Sequence, residues 1–321
     1  MKDLTIGVAA AEKLAAGLVE DRKLAGKIHV WPEMDPDGST PQGALHTMPM
    51  EAIVETMAEL VAEVCREAGG KPTAVGIGFP GIVHEGIVEE SPNLRQAKGA
   101  KLAAMLGSAL ESLQLPMPVF LYNDADVAAA GLAAIRGKRS DHDAIRVWTL
   151  GTGVGFGRYP AVEGVWEGGH TVVTLDPKEG YCGCGGRGHL EGIMGERAMR
   201  LRFLDLEPHE VFERAKEGDE RCRDFVKLWH RALAAATASS IHIAGPGRFY
   251  VTGRYSRFID VTVLHRYLHE MVTMTPLQGS VFEVIETNDE VAVIGAGVNA
   301  QLSFAAMKAA LECAPKDIEN S

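Results

Sequence analysis

Four side chains that bind metal ions strongly are concentrated in one glycine-rich part of this chain, and they restrict how that part can fold. Residues 167–170 read EGGH and residues 182–191 read CGCGGRGHLE. The candidate metal ligands are His170, Cys182, Cys184 and His189. Two thiolates and two neutral imidazoles saturate a tetrahedral zinc ion and cancel its charge, which leaves no open position for an activated water. We therefore predict a structural zinc site, around which both segments fold back.

An alternative is that the two cysteines of this segment are incidental. The chain contains five cysteines, free cysteines often behave as small buried hydrophobes, and a CxC pair is tighter than the common CxxC zinc motif. The metal site is favoured by the surrounding glycines, because a turn without Cβ atoms lets successive groups point at one ion. These glycines are Gly180, Gly183, Gly185, Gly186 and Gly188.

The composition is ordinary for a globular protein and excludes some partners. At 321 residues, with 46% hydrophobic and 23% charged residues, the chain is long enough for two domains. Its formal charge of −11 argues against a nucleic-acid partner, because phosphate neutralisation requires clustered Lys and Arg. The N-terminus runs directly into a strand-like stretch, so we expect no signal peptide, no membrane span and a cytoplasmic location.

Short apolar runs alternate with helix-period segments, which predicts an α/β fold. The predicted strands are 4–8, 74–78, 119–122, 145–150, 249–252 and 282–285. Helical periodicity marks 53–64 and 102–113, alanine-rich helices are predicted at 127–135 and 233–243, and a final helix at 298–311. The residues predicted to carry the chemistry lie in the loops between these elements.

A candidate catalytic base follows the third predicted strand. Asn123 and Asp124 precede an alanine-rich helix, so Asn123 can cap it and a carboxylate in its first turn is held ionised by the helix dipole. The alternative is that both residues are only caps. Their position at the carboxyl end of a strand, where α/β proteins bind ligands, favours a function.

A glycine-rich turn follows the strand at 145–150 and leads into a second strand. We predict that Gly151, Thr152, Gly153 and Gly155 present N–H groups and a hydroxyl to phosphate oxygens. Glycine-rich hairpins are also common without a ligand, and the segment is neither a Walker loop nor a dinucleotide fingerprint. Two further loops, 76–81 and 91–94, place Gly81 and Asn93 where they can approach a small ligand, although both are ordinary turn residues.

Taken in order, these segments resemble the ROK family of repressors, uncharacterised reading frames and sugar kinases. The matching motifs are GIGFPG, SPNL, YNDADVAAAG, TLGTGVGFG, EGGH, CGCGGRGHLE and AGPGRFYVTG, across residues 74–254. The resemblance implies a two-lobed, actin-like ATPase fold of the hexokinase type, which is ribonuclease H-like. The lobes would be 1–121, joined by the C-terminal helix 298–321, and 122–297 with the zinc loop.

The resemblance also implies a hexose or N-acetylhexosamine kinase that uses Mg-ATP. Asp124 would be the general base, and Gly253 would join the glycine turn at the nucleotide. The residues implied to contact the sugar are Gly81, Asn93, Asn123, Asp124, Glu167, His170 and Glu191. The expected partners are a sugar and a nucleotide, without nucleic acid or membrane, and the expected assembly is a homodimer.

Three departures from the family pattern bear on these expectations. The usual DxGGT after the first strand is replaced by IGVAAAEK at 6–13, the usual GG at the adenosine-contacting strand end is Gly253-Arg254, and His189 replaces a cysteine ligand. Loss of the first phosphate motif leaves two functions open: an ATP-dependent hexose kinase, and a kinase-inactive sugar-binding regulator. A DNA-binding repressor is the least supported, because no helix-turn-helix precedes the first predicted strand.

Overall fold

The computed structural model describes residues 4–11, 13–32, 44–92, 94–137, 144–161, 167–286 and 288–313. The chain forms two compact units, one of Met1–Arg136 with Asp289–Ser321 and one of Gly137–Asn288. The boundary therefore falls after Arg136, not after residue 121 as predicted. The helix that begins at Asp124 belongs to the first unit, because it packs along the C-terminal helix.

The described residues form mixed α/β structure. The strands are β1 Leu4–Ala10, β2 Leu14–Glu20, β3 Lys23–Leu24, β4 His29–Trp31, β5 Val75–Phe79, β6 Ile82–His84, β7 Ile87–Glu90, β8 Val119–Asn123, β9 Ile145–Leu150, β10 Val154–Tyr159, β11 Arg248–Thr252 and β12 Val281–Val284. The helices are α1 Ala44–Thr47, α2 Met50–Glu67, α3 Leu102–Ser112, α4 Asp124–Arg136, α5 Glu191–Met194, α6 Glu196–Arg202, α7 Pro208–Glu217, α8 Glu220–Ala244, α9 Val261–Met271 and α10 Asp289–Cys313.

The first unit is built on a sheet whose described strands lie in the order β3-β2-β1-β5-β8, with β4 also paired to β2. Strands β1 and β2 form an antiparallel hairpin, whereas β1, β5 and β8 run parallel. Strand β5 is buried at every position, as expected for a parallel strand covered by helices on both faces. The carboxyl end of β8 therefore delivers Asn123 and Asp124 at one edge of this sheet.

Helix α10 packs unusually close to the sheet and to α4. A Cβ atom on Gly7 of β1 would lie 1.8 Å from the Val293 carbonyl oxygen, and one on Gly131 of α4 would lie 1.9 Å from that of Val291. Only glycine allows these backbones to approach so closely. The prediction of the final helix as 298–311 starts too late, since α10 begins at Asp289.

By length and composition, α10 meets the criterion for a membrane-crossing helix, with a mean hydropathy of 1.2 over its most apolar window. The expectation that the chain has no membrane span stays a prediction, since length and composition alone do not distinguish a span from a core helix. The first half of the helix is buried in the first unit, where Val293, Ala296 and Ala300 are fully covered. This burial accounts for the apolar composition of that half, as in the central helix of a packed domain.

The second unit is built on a sheet with the order β10-β9-β11-β12 among its described strands. Strands β9, β11 and β12 are parallel, and β10 returns antiparallel to β9. Helix α8 covers one face, where the buried Trp148 indole donates to the Thr237 hydroxyl at 3.1 Å. Because β9 and β11 are parallel and adjacent, the loops that follow them meet at one edge.

Candidate functional site

The four predicted metal ligands come together in the second unit. The sulfurs of Cys182 and Cys184 lie 3.4 Å apart, and Nδ1 of His170 lies 3.3 Å from Nδ1 of His189. Each histidine also approaches one sulfur, His170 at 3.4 Å from Cys182 and His189 at 3.3 Å from Cys184. All four ligand atoms lie within 4.8 Å of one another.

This arrangement fits a tetrahedral zinc ion. Zn–S bonds of about 2.3 Å and Zn–N bonds of about 2.0–2.1 Å place the ligand atoms of a tetrahedron about 3.3–3.8 Å apart. The four separations of 3.3–3.4 Å given above are at or near the lower end of that range, and the other two pairs lie within 4.8 Å. Glycine is required beside the cluster, since a Cβ at Gly186 would lie 2.1 Å from Cε1 of His189.

The protonation of the cluster indicates what an ion would change. Burial raises the pKa of the Cys182 thiol to about 12. Burial and the neighbouring His170 lower the pKa of His189. The neutral imidazole is the form that binds a metal, whereas the thiols must lose their protons to do so. Without an ion, the Cys182 thiol therefore stays protonated at neutral pH.

Two carboxylates flank this cluster. Glu191 Oε2 accepts the N–H of Val154 at 3.2 Å, and its Oε1 accepts the Cys182 thiol at 3.4 Å. Glu167 Oε2 lies 3.9 Å from Nε2 of His170, so this histidine directs Nδ1 to the cluster and Nε2 towards Glu167. Burial, with a smaller contribution from Glu191, raises the pKa of Glu167. The cluster thus has Glu191 hydrogen-bonded beside it and Glu167 within 3.9 Å of one of its imidazoles.

The predicted phosphate turn lies on the same segment as Val154. It consists of residues 151–153, and Gly155 lies within β10 opposite Thr149, so its placement in the turn is wrong. The Gly151 N–H donates a hydrogen bond to the Gly153 carbonyl at 3.0 Å. Within the described ranges, the N–H groups of Thr152 and Gly153 donate to no protein acceptor.

Gly253 lies at the same sheet edge as this turn. It follows β11, has φ +96°, and a Cβ there would lie 2.4 Å from the Leu150 carbonyl oxygen. The adjacent Arg254 donates to Glu196 at 3.1 Å, and the Glu196 N–H donates in turn to the Gly151 carbonyl at 3.0 Å. Glu196 therefore links the two strand ends, which the sequence did not predict.

A second ion pair that the sequence did not predict, between Arg202 and Glu179, holds the segment that carries Cys182 and Cys184. Arg202 of α6 donates to both carboxylate oxygens of Glu179, with Nη1 at 3.0 Å from Oε1, and its guanidinium lies over the Tyr181 ring. Arg202 also contacts the carbonyl oxygen of Gly192, one residue after Glu191. The pair therefore joins the chain on both sides of Cys182 and Cys184.

In the first unit, Asn123 and Gly81 contact each other directly. The Asn123 amide donates to the Gly81 carbonyl at 2.9 Å, and its Oδ1 accepts the N–H groups of Ala125 and Asp126. The predicted helix cap is therefore confirmed. Asp124 Oδ1 accepts the Ala125 N–H at 2.9 Å, at the positive end of α4. Asn93 lies outside the described residues, so its predicted role is not tested.

The described part of the segment that replaces the first phosphate motif belongs largely to β1, which pairs antiparallel with β2. Strand pairing continues to Ala10 opposite Leu14, and the Ala11 N–H donates to the Lys13 carbonyl at 3.1 Å. The Lys13 amine lies 2.6 Å from Asp289 at the start of α10. Glu12 lies outside the described residues.

Comparison with known proteins defines the class of protein to which this fold and these residues belong. The ROK family model matches residues 38–301, and the chain belongs to the ROK family. Glucokinase of Thermotoga maritima is 31% identical over 236 residues, which cover 64% of this chain and 71% of that protein. N-acetylmannosamine kinase of Haemophilus influenzae is 29% identical over 208 residues, covering 61% and 67% of the two chains.

The fold agrees with this assignment. The crystal structure of a ROK hexokinase from Thermus thermophilus superposes with a TM-score of 0.77 at 24% identity, covering 95% of this chain and 100% of that one. The predicted two-lobed, actin-like fold is confirmed.

Proposed function

We propose that this protein phosphorylates a hydroxyl group of a hexose or an N-acetylhexosamine. The observation that carries the proposal is the pair of carboxylates, Glu167 and Glu191, beside the metal cluster that includes His170. Several oriented acceptors and donors in a small space are what a neutral sugar requires. Relatives named glucokinase and N-acetylmannosamine kinase support the same substrate class.

The metal cluster would hold one zinc ion and would take no part in the reaction. His170, Cys182, Cys184 and His189 would supply all four ligands, so zinc would keep no open position for water. Bound zinc would neutralise the two thiolates and lock the segment that carries Glu191. The orientation of the sugar would thereby depend on the metal.

Asp124 would act as the general base. Its position in the first turn of α4 favours the ionised carboxylate, because unpaired N–H groups and the helix dipole stabilise negative charge there. An ionised carboxylate would accept the proton of the attacking sugar hydroxyl as the phosphoryl group is transferred. Asn123 would hold the backbone of this turn, since it bridges the Gly81 carbonyl and the helix N-terminus.

The phosphate donor would be Mg-ATP, bound at the edge where β9 and β11 end. The N–H groups of Thr152 and Gly153 and the close backbone approach at Gly253 would face phosphate oxygens. In the sequence, IGVAAAEK at 6–13 lacks the aspartate and the paired glycines of DxGGT. Magnesium and the transferring phosphate would then have fewer fixed partners, so turnover would be slow.

The second candidate function is that of a sugar-binding regulator without kinase activity. The ion pair between Lys13 and Asp289 favours it, because a cation beside the hairpin turn is held by a carboxylate of the protein. Under this alternative, the residues around the metal cluster would still bind a sugar, while no phosphoryl group would be transferred.

Calorimetric titration of a hexose panel, with and without Mg-ATP and alongside ADP detection, tests the proposal. We expect one neutral hexose or N-acetylhexosamine to bind and to yield its phosphate. Binding without phosphate transfer would favour the regulator. Tighter binding of a hexose 6-phosphate at the Glu167 and Glu191 carboxylates than of every free hexose would contradict the substrate class, since like charges repel.

A further inference from the structure

A cavity of about 760 Å³ opens in the second unit, away from the metal cluster and the glycine turn. It lies among α7, α8, a short 3₁₀ turn at Ser256–Phe258 and the start of α9. Its volume is within the range of about 300–1,000 Å³ typical of small-molecule sites. Five of its lining residues are cationic: Lys216, Arg223, Lys227, Arg257 and Arg266.

This concentration of positive charge is unusual in a chain with a formal charge of −11. One carboxylate, Asp260, lines the cavity with them, and its Oδ1 already accepts the N–H groups of Thr262 and Val263 as the cap of α9. In the part of the chain that the structure describes, Arg257 and Arg266 form no ion pair. Lys227, by contrast, pairs with Asp224 at 2.9 Å. Arg257 and Arg266 therefore stay available to an anion.

Two of the cationic side chains, Arg257 and Arg266, lie against aromatic rings. The Arg257 guanidinium lies 4.8 Å from the centre of the Phe258 ring, and that of Arg266 lies 5.2 Å from the Tyr267 ring. These rings hold the guanidinium groups without consuming their hydrogen-bond donors. Other groups also pack on these rings, because Phe212 stacks on Phe258 with ring centres 4.2 Å apart and Arg231 lies 5.6 Å from the Tyr267 ring. The cavity thus combines charged donors for an anion with an apolar wall that includes Val261 and Val263.

The base of the cavity is formed by His230, which is neutral and hydrogen-bonded on both sides of its ring. His230 is buried, its Nδ1 pairs with the Val226 carbonyl at 2.8 Å, and its Nε2 accepts the Asp260 N–H at 2.9 Å. Burial lowers the pKa of His230, so the imidazole stays neutral. Both ring nitrogens are used, which fixes the start of α9 next to the cations.

We propose that this cavity binds a small phosphorylated molecule. Arg257 and Arg266 contact the phosphate, since guanidinium groups bind phosphate oxygens in a planar, bidentate manner. Lys216 adds charge, and the organic part lies against the apolar lining at Val261 and Val263. The ligand source is either an organic phosphate such as a hexose phosphate or inorganic phosphate, and both share the group that the arginines recognise.

The cavity is joined to the glycine turn by a short, hydrogen-bonded stretch of chain. The Ser256 N–H donates to the Gly253 carbonyl at 3.0 Å, and the Tyr255 N–H donates to the Leu150 carbonyl at 3.2 Å. Arg257 directly follows Ser256, so an anion bound to Arg257 lies next to the hydrogen-bonded stretch that holds Gly253 and Leu150. If the proposed kinase activity is present, occupancy of the cavity changes the KM for the nucleotide; this consequence alone rests on the proposed function.

The test uses the full chain with its metal, titrated with glucose 6-phosphate, inorganic phosphate and neutral glucose. The variant is Arg257→Gln/Arg266→Gln, and the matched control is Lys71→Gln/Lys101→Gln, which removes the same charge from the first unit. We expect the arginine variant to bind glucose 6-phosphate at least about tenfold more weakly, because two charged hydrogen-bond donors are lost. The control should bind as the unaltered protein does.

Hydrogen exchange locates the site independently of activity. Glucose 6-phosphate should slow exchange in residues 256–267, and neutral glucose should not. Equal binding in the arginine variant and the unaltered protein would overturn the proposal, as would dissociation constants weaker than about 10 mM for both phosphates. Protection of this face by a second copy of the chain, seen as dimerisation that the arginine variant abolishes, would also overturn it. Comparison of the two phosphates shows whether the organic part contributes.

Discussion

The Glu191 carboxylate and the backbone of Gly153 approach so closely that a Cβ atom on residue 153 would lie 2.4 Å from Oε2 of Glu191. The same oxygen accepts the N–H of Val154, the residue that follows the glycine turn. The turn predicted to bind phosphate and a carboxylate predicted to bind sugar are therefore in direct contact. A change in the turn should consequently be detected in sugar binding, even without a nucleotide.

Replacement of Gly153 by alanine should weaken sugar binding by about tenfold or more. The added methyl group overlaps the end of a flexible side chain, so the protein should fold while Glu191 moves and loses a charged hydrogen bond. Calorimetry with the preferred hexose, in the absence of nucleotide, measures this effect. Gly151→Ala is the matched control, since a Cβ there meets no atom within 4 Å. Equal sugar affinities in the two variants would contradict the proposed role of Glu191.

One zinc ion per chain should be found by elemental analysis of protein prepared without chelators. Cys184→Ser should lose the zinc and most sugar affinity, whereas Cys65→Ser, at a half-buried thiol outside the cluster, should keep both. Structural zinc contributes about 10 kcal/mol in small peptides. Here the two units have their own cores, so circular dichroism should change little on chelation. Well under one zinc per chain in the unaltered protein would refute the metal site.

Arg202→Gln should lower the free energy of unfolding by at most about 3 kcal/mol. This value is the lower end of the usual cost of breaking a buried ion pair. Glu179 would lose its charged partner in a place where its side chain is only 12% exposed. Arg221→Gln is the control, because its pair with Asp205 is exposed and screened by solvent. Urea denaturation of Arg202→Gln and of the control measures the difference. Equal midpoints would show that the Arg202 pair is not structural.

Much of the fold could be predicted from the sequence because buried strands leave a local signal. All six predicted strands are confirmed to within two residues at each end. Strand β2 was missed, since LAAGLVE is rich in alanine and glycine and becomes a strand only through its register with β1. The start of α10 was missed for a similar reason. Its sequence VAVIGAGV favours a strand, and the close packing on Gly7 and Gly131 that requires a helix is not local.

The residues of the candidate site also fall into those that the sequence could predict and those that it could not. The metal ligands were found because their residue types and spacing carry the chemistry, and they do form one cluster. Glu196 and Arg254, which are 58 residues apart in sequence, were not found, nor were Arg202 and Glu179, which are 23 apart. Charged residues of this kind have no distinguishing local pattern, so their partners are visible only when the chain is folded. The functional roles of the site residues stay predictions.

Phosphoryl transfer to the preferred hexose, measured in the unaltered protein and in Asp124→Asn, tests the central claim most directly. The asparagine keeps the shape and can still accept the Ala125 N–H, but it cannot accept the proton, so the rate should fall by about 10²–10⁴ while sugar affinity changes little. Asp126→Asn, in the same first turn, should retain most activity. We expect slow ADP formation by the unaltered protein and none in Asp124→Asn. Hexose binding without ADP above background, and without transfer from other nucleotides or polyphosphate, would contradict the kinase and leave the sugar-binding regulator.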